Sequence, residues 1–302
     1  MRRIVLSARV FLASSVFVLP TLLIGACALT TSGCGTSAAY KETRNLTAPH
    51  VPGSGLNVQT VNGSIAVEAS GAGVPSEVAI EATLRAETAE RLRAIVVLAD
   101  RQADGRLMID VRWPDGRRGS NEGCSFKVRL PDASGVVLDT SNGSIRAAGL
   151  SGTLRVDTSN GSVNVDRHSG DVELSTSNGS IVVTDAAGRV SADTSNGSVR
   201  VTMAETSAGP VDIDTSNGSV ELAVGSAFAG SLDVGTSNGR VTVQLPTGIR
   251  SVNTGKSEAK IEFQAPGGRS VVDTSNGSVT IRRREPGPAS ESPSPAAGAS
   301  AG

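Results

Sequence analysis

Residues 154–171 read L-R-V-D-T-S-N-G-S-V-N-V-D-R-H-S-G-D, and residues 172–189 read V-E-L-S-T-S-N-G-S-I-V-V-T-D-A-A-G-R. The second stretch repeats the first directly, and each holds two short alternating words. Alternation of apolar and polar residues marks a strand with one buried face, and a glycine turn between such words ends it. The word T-S-N-G occurs seven times, at Asn142-Gly143, Asn160-Gly161, Asn178-Gly179, Asn196-Gly197, Asn217-Gly218, Asn238-Gly239 and Asn276-Gly277. Asn62-Gly63 closes a weaker copy, Thr60-Val61-Asn62-Gly63. The first four full copies follow one another in 18-residue steps, the next two steps are 21, and the last gap of 38 holds a degraded copy at Asn253-Thr254-Gly255.

The finer period is nine, as in Leu154/Val156, Val163/Val165, Val172/Leu174 and Ile181/Val183. Two architectures could use it. Asn-Gly between alternating words is a hairpin signal, and would pair Val156 with Val165 across Asn160-Gly161. The same spacing on both sides of the turn suits instead a screw operation, in which every strand pairs with its copy one rung away. The screw reading is preferred. The expected fold is all-β: a parallel β-solenoid (single-stranded β-helix) with rungs of 18–21 residues, right-handed by the crossover preference, and an N-terminal β-rich cap. The corner glycines are expected to supply a left-handed backbone.

Working outward, residues 132–283 hold the solenoid repeats and residues 53–76 a first rung in the same register. Residues 77–131 break the period and are expected to be a cap of strands with a short helix, covering an open sheet edge. Residues 1–26 (or 1–33) read as an export signal, with Arg2 and Arg3 before an apolar run. Cys27 and Cys34 each follow small residues, as in a bacterial lipobox, and both are lipidation candidates. If Cys27 is the anchor, Cys34 and Cys124 could pair in an oxidising compartment. Residues 27–52 are expected to be a tether, and residues 284–302, rich in Pro, Ala, Ser and Gly, a disordered tail.

Composition narrows the function. The formal net charge is −1, with no basic footprint for nucleic acid. Aromatics are only 2% of 302 residues, so the core must be thin and built from Val, Ile and Leu. The two histidines, His50 and His168, have no second histidine at metal or catalytic spacing, and the many serines have no positioned base. No catalytic, cofactor or metal residue is expected. N-G-S words match a glycosylation acceptor, but the match follows from the turn. Asp139, Asp157, Asp193, Asp214 and Asp273 form an outward column, read as solvated rather than as a cation site. Thr140, Thr158 and their copies turn inward or into the corner. Trp113, in a charged loop, is expected to pack against the core or cap.

The recurring T-S-N-G-S-[IV] after V-x-[IVL]-D, with the lead-in Val128-Arg129-Leu130-Pro131, resembles the toast-rack family of adhesin-like bacterial envelope domains over about residues 53–283. The resemblance implies a β-helical fold and an extracytoplasmic, non-catalytic role. The expected function is that of a lipid-anchored envelope protein presenting a rigid surface to a macromolecular partner of unknown identity, and not to nucleic acid. An accessory sensor of envelope stress is the alternative. A polysaccharide-processing β-helix enzyme is disfavoured, since it would need acidic and basic residues clustered on one face.

Overall fold

The two words of each repeat lie in different sheets. In the computed structural model, which describes residues 40–70 and 77–285, Val156 pairs in parallel with Leu138 on one side and Leu174 on the other. Val165 pairs with Ala147 and Val183 in a separate ladder. The hairpin alternative is thereby excluded, and the solenoid expectation holds. The T-S-N-G words end the strands of a twelve-stranded front sheet, and the words that follow build an eleven-stranded back sheet.

Alternation sets what each strand buries. In Val172–Asn178, Val172, Leu174 and Thr176 face in, while Glu173, Ser175 and Asn178 face out. In Ile181–Ala186, Ile181, Val183 and Ala186 are buried. The core is therefore two facing columns of β-branched and aliphatic side chains, which suit a pleated half-buried surface. Burying one such side chain is worth about 1.5–3 kcal/mol. Because each rung repeats the same few, stability is a sum over neighbours.

The order of rungs departs from the order of the chain at both ends. Val211–Asn217 pairs with Arg269–Asn276, and Ser231–Asn238 lies on the far side of that strand. The last T-S-N-G rung thus fills a place between the Asn217 and Asn238 rungs. The second 21-residue step consequently spans two rungs, whereas the first, of equal length, spans one. The degraded copy at Asn253-Thr254-Gly255 is not a rung. Strand Ile249–Thr254 and strand Glu258–Phe263 form an antiparallel hairpin against the outer edge of Ser231–Asn238. Phe263 of this hairpin meets Phe228 edge to face, with ring centroids 5.0 Å apart.

At the other end, Leu107–Arg112 and Gly123–Leu130 make a further rung, parallel to Leu56–Asn62 and Ile65–Ala69. It sits outside the Asn62 rung although it comes later in the chain. Val96–Arg101 and Glu77–Ala86 then cover its two strands in antiparallel pairing. The expected short helix is Ala89–Ala94, with Thr88 accepting from the Arg91 N–H as its N-cap.

Part of the expected tether needs correction. Residues 40–49 form the strand Tyr40–Pro49, antiparallel to Glu77–Ala86 along its full length. It buries little apolar surface, so its sequence carries no core pattern. It is held by its ladder and by Arg44, which donates to the Leu92 and Ile95 carbonyls and pairs with Glu42. The signal segment, Cys27, Cys34 and the tail beyond Glu285 lie outside the described residues. Among the described residues no helix is long and apolar enough to cross a membrane.

His168 closes one back-sheet strand. Its Nε2 lies 2.9 Å from the Gly152 carbonyl, and its Nδ1 has no partner among the described residues. Burial pushes its pKa down, against hydrogen bonds to the Gly152 and Asp171 backbone that push it up. The folded protein therefore resists a proton that the unfolded chain accepts. Stability should be full above the ordinary histidine range and fall as pH drops below about 6.5. Melts of wild type and His168→Leu between pH 7.5 and 5 check this. A wild-type slope no steeper than that of the variant would contradict the assignment.

Candidate functional site

Three residues of the T-S-N-G word tie neighbouring rungs together, the threonine from inside and the asparagine and glycine at the corner, while serines such as Ser177 stay exposed. Thr60, Thr140, Thr158, Thr176, Thr194, Thr215, Thr236 and Thr274 are buried. Each hydroxyl donates to a corner carbonyl of an adjacent rung, at 2.8–3.1 Å. For Thr176 the acceptor is Gly161. The asparagines form a continuous ladder: Asn142 donates to Asn62, Asn160 to Asn142, Asn178 to Asn160, Asn196 to Asn178 and Asn217 to Asn196. Asn276 then donates to Asn217, and Asn238 to Asn276, so the ladder follows the stack and not the chain.

The glycines act by size. Gly143, Gly161, Gly179, Gly197, Gly218, Gly239 and Gly277 do not adopt a left-handed backbone, contrary to expectation. A Cβ placed on Gly179 would lie 2.1 Å from the Gly161 carbonyl oxygen, and the same collision recurs at every corner of the column. Gly63 would meet the Cys124 carbonyl in the same way. The corner backbones stack too closely for any side chain. Left-handed residues occur on the opposite edge, at Arg167 (φ 48°) and Asp185 (φ 62°), one rung apart.

Outward-facing groups supply the chemistry that remains. Asp139 lies beside Asp157, and Asp193, Asp214 and Asp273 lie in three successive strands. Sequence order alone would put Gly235 between the last two. Burial, then the neighbouring carboxylates, raise the pKa of Asp214, and burial with Asp157 raises that of Asp139. Among the described residues no group of three His, Cys, Asp or Glu is placed to hold a metal ion. Cys124 is buried, and burial pushes its thiol up to about 12. Trp113 is half-buried and packs against the core.

Two features escaped the sequence reading. Glu122 is fully buried and accepts from Arg91 Nη2 at 2.8 Å and from the Gly119 N–H at 2.7 Å. The Arg91 guanidinium holds its carboxyl below the usual range. Its backbone carbonyl receives Asn62, so this pair seats the cap on the end of the asparagine ladder. A single charged pair so far apart in the chain leaves no pattern to read. The second is a shallow groove of about 390 Å³ across the outer back sheet, floored by Ala66, Ala148 and Val182 and edged by Lys127, Arg146 and Glu68. Small outward residues in adjacent rungs create it. The linear sequence shows them only once register is known.

Close stacking predicts that Gly179→Asn is as damaging as Gly179→Val, at about 1–3 kcal/mol for overpacking. A left-handed corner would instead tolerate asparagine. Glu173→Val, on an outward strand position, should be nearly neutral. Thermal melts of the three variants decide. Separately, a raised Asp214 pKa means stability present at low pH and lost as pH rises through about 4. Asp214→Asn should therefore stabilise at pH 7 by roughly 0.2–1 kcal/mol. The gain should vanish near pH 3 and shrink in high salt. An equal gain at both pH values would refute the ionised carboxylate as its cause.

With this geometry in hand, comparisons place the chain. The Toastrack DUF4097 family profile matches residues 54–282. Among curated proteins no sequence matches. A solved structure of a putative adhesin from Bacteroides fragilis NCTC 9343 is similar at 13% identity and a TM-score of 0.40, covering 80% of this chain and 96% of that one. A putative adhesin from Parabacteroides merdae ATCC 43184 is similar at 14% identity and 0.33, covering 80% and 95%. A putative cell adhesion protein from Clostridium sporogenes ATCC 15579 is similar at 11% identity and 0.29, covering 81% and 100%. Nearly the whole described solenoid lies within the family match, and the chain belongs to the Toastrack DUF4097 family.

Proposed function

We propose that the chain is a non-catalytic, extracytoplasmic protein whose solenoid serves as a rigid adhesin-like or scaffolding surface for a macromolecular partner at the bacterial envelope. One observation carries this reading. The repeated threonines, asparagines and glycines are spent on contacts between rungs, in the buried threonine bonds, the exposed asparagine ladder and the glycine corners. The residues that vary from rung to rung are the outward ones, such as Arg155, Glu173 and Ser191 in one front column. A scaffold that holds the backbone constant while freeing the surface suits recognition of an extended partner. Catalysis would need a base beside a nucleophile, and the T-S-N-G serines have none among the described residues. The family match and the apolar run behind Arg2 and Arg3 support an extracytoplasmic location.

Anchoring by acylation of Cys27 or Cys34 completes the proposal, since it would hold the rod at a membrane surface. Labelled palmitate should enter the wild-type chain, and Cys27→Ala or Cys34→Ala should abolish labelling and release the protein from membranes. Labelling unchanged by either substitution would remove the anchor from the proposal. The purified solenoid should also retain one envelope component from an extract, and lose it when Lys127 and Arg146 at the groove are both replaced by alanine. Retention of no component would remove the scaffold role.

A further inference from the structure

The C-terminal rung occupies a slot that the preceding chain leaves open. Strand Val220–Val224 ends the Asn217 rung, residues 225–230 cross over, and Ser231–Asn238 begins one place too far along the stack. After the hairpin, residues 264–268 (Q-A-P-G-G) lead back, and Arg269–Asn276 with Val279–Arg283 fill the slot on both sheets. Before that rung enters, two strand edges face each other across one missing strand in each sheet. Each edge is a row of unpaired N–H and C=O groups, a template for any matching strand.

What the slot recognises is the repeated word. Asn217 receives Asn276, and Asn276 receives Asn238. Thr274 donates to the Gly218 carbonyl, and Thr236 to that of Gly277. A Cβ on Gly277 would lie 2.0 Å from the Gly218 oxygen, so the slot admits only a corner without a side chain. Three arginines of the incoming rung add charge-assisted contacts with the slot walls: Arg269 to Asp233 at 2.8 Å, Arg282 to Glu221 at 2.8 Å, and Arg283 to the Gly225 carbonyl at 2.6 Å. None of these contacts depends on which chain supplies the rung. Only residues 264–268 would change course if the rung came from elsewhere.

We propose that this slot is a binding site for a T-S-N-G rung, and that a second copy of the chain can fill it, so that two copies join by reciprocal exchange of residues 269–283. Such an exchange keeps the rung contacts named above and changes the connecting loop with its own backbone bonds, such as Gly230 N–H to the Ala265 carbonyl, which makes it a low-cost route to a dimer. It is a form of strand addition in which main-chain bonds give affinity and the word gives specificity. A rung on a short linker meets its own slot at an effective concentration of order mM, so the closed monomer dominates in dilute solution and exchange is expected when chains fold together at high concentration.

Register neighbours on the outward face give the test. Asp214 and Asp273 are paired across the slot, at the roughly 4.8 Å spacing of adjacent strands, within reach of a disulfide. In full-length chains carrying Cys27→Ser and Cys34→Ser, Asp214→Cys with Asp273→Cys in one molecule should form an intrachain disulfide. Chains carrying Asp214→Cys alone, refolded together with chains carrying Asp273→Cys alone, should give a disulfide-linked heterodimer. The control pair, Asp157→Cys with Ser175→Cys on separate chains, joins two rungs of the sequential stack and should give none. A heterodimer in the slot pair only establishes exchange. No heterodimer from chains that melt like wild type, or equal cross-linking in the control, overturns it. Failure of the intrachain disulfide overturns the slot itself.

Discussion

The structure depends on how closely backbones approach at the Asn-Gly corner. There the glycine of one rung lies against the carbonyl of the next, with no room for a single added carbon. That approach lets the buried threonine hydroxyl reach a corner carbonyl of a neighbouring rung, and lets consecutive asparagine amides bond along the stack. A buried hydroxyl without a partner would cost about 1–3 kcal/mol. The threonine is tolerated in the core because the glycine brings an acceptor to it. Threonine, asparagine and glycine of the word therefore depend on one another and recur together, while outward strand positions such as Arg155, Glu173 and Ser191 drift.

A corner built this way is indifferent to chain order. One T-S-N-G rung matches its neighbours as well as any other, so the hydrogen bonds specify parallel register and nothing about sequence of assembly. Order comes from the connections. An 18-residue repeat has just enough chain to climb one rung. Between Val224 and Ser231 the chain skips one place, and residues 249–268 carry it out and back. Out-of-order rungs at both ends mean that the termini of the solenoid are woven into it instead of lying on top of it.

Ends are where a solenoid is exposed: at the cap both sheets are covered by antiparallel strands, and at the other end the front sheet is, while the back sheet stops at Val241–Gln244. At the cap, the Arg91–Glu122 pair and the bond from Asn62 to the Glu122 carbonyl connect loop, helix and ladder in one network. At the other end the hairpin shields the front sheet, and Phe228 and Phe263 supply aromatic bulk that the rungs lack. Between the ends the rod exposes two long faces of single, mixed residues. Such a surface gives little purchase to a small molecule, and the alanine-floored groove on it is shallow.

The sequence by itself determined the rung. Period nine, glycine in each turn and inward Val, Ile and Leu prescribe a two-sided solenoid, because a strand's side-chain period of two shows directly which residues must be buried. It also showed that the aspartates turn outward and the threonines inward or into the corner, and the structure buries the threonines. Only the tertiary structure decided the rest. The reason for glycine at the corners, close stacking instead of a left-handed turn, depends on an atom in the neighbouring rung, the Gly161 oxygen over Gly179. The strand Tyr40–Pro49 carries no core pattern, since an edge strand is held by its neighbour's backbone and not by its own side chains. The place of the Asn276 rung was illegible for a related reason: the word is the same in every rung, and the charges that single out this slot, Arg269 with Asp233 and Arg282 with Glu221, become pairs only once its two walls are known.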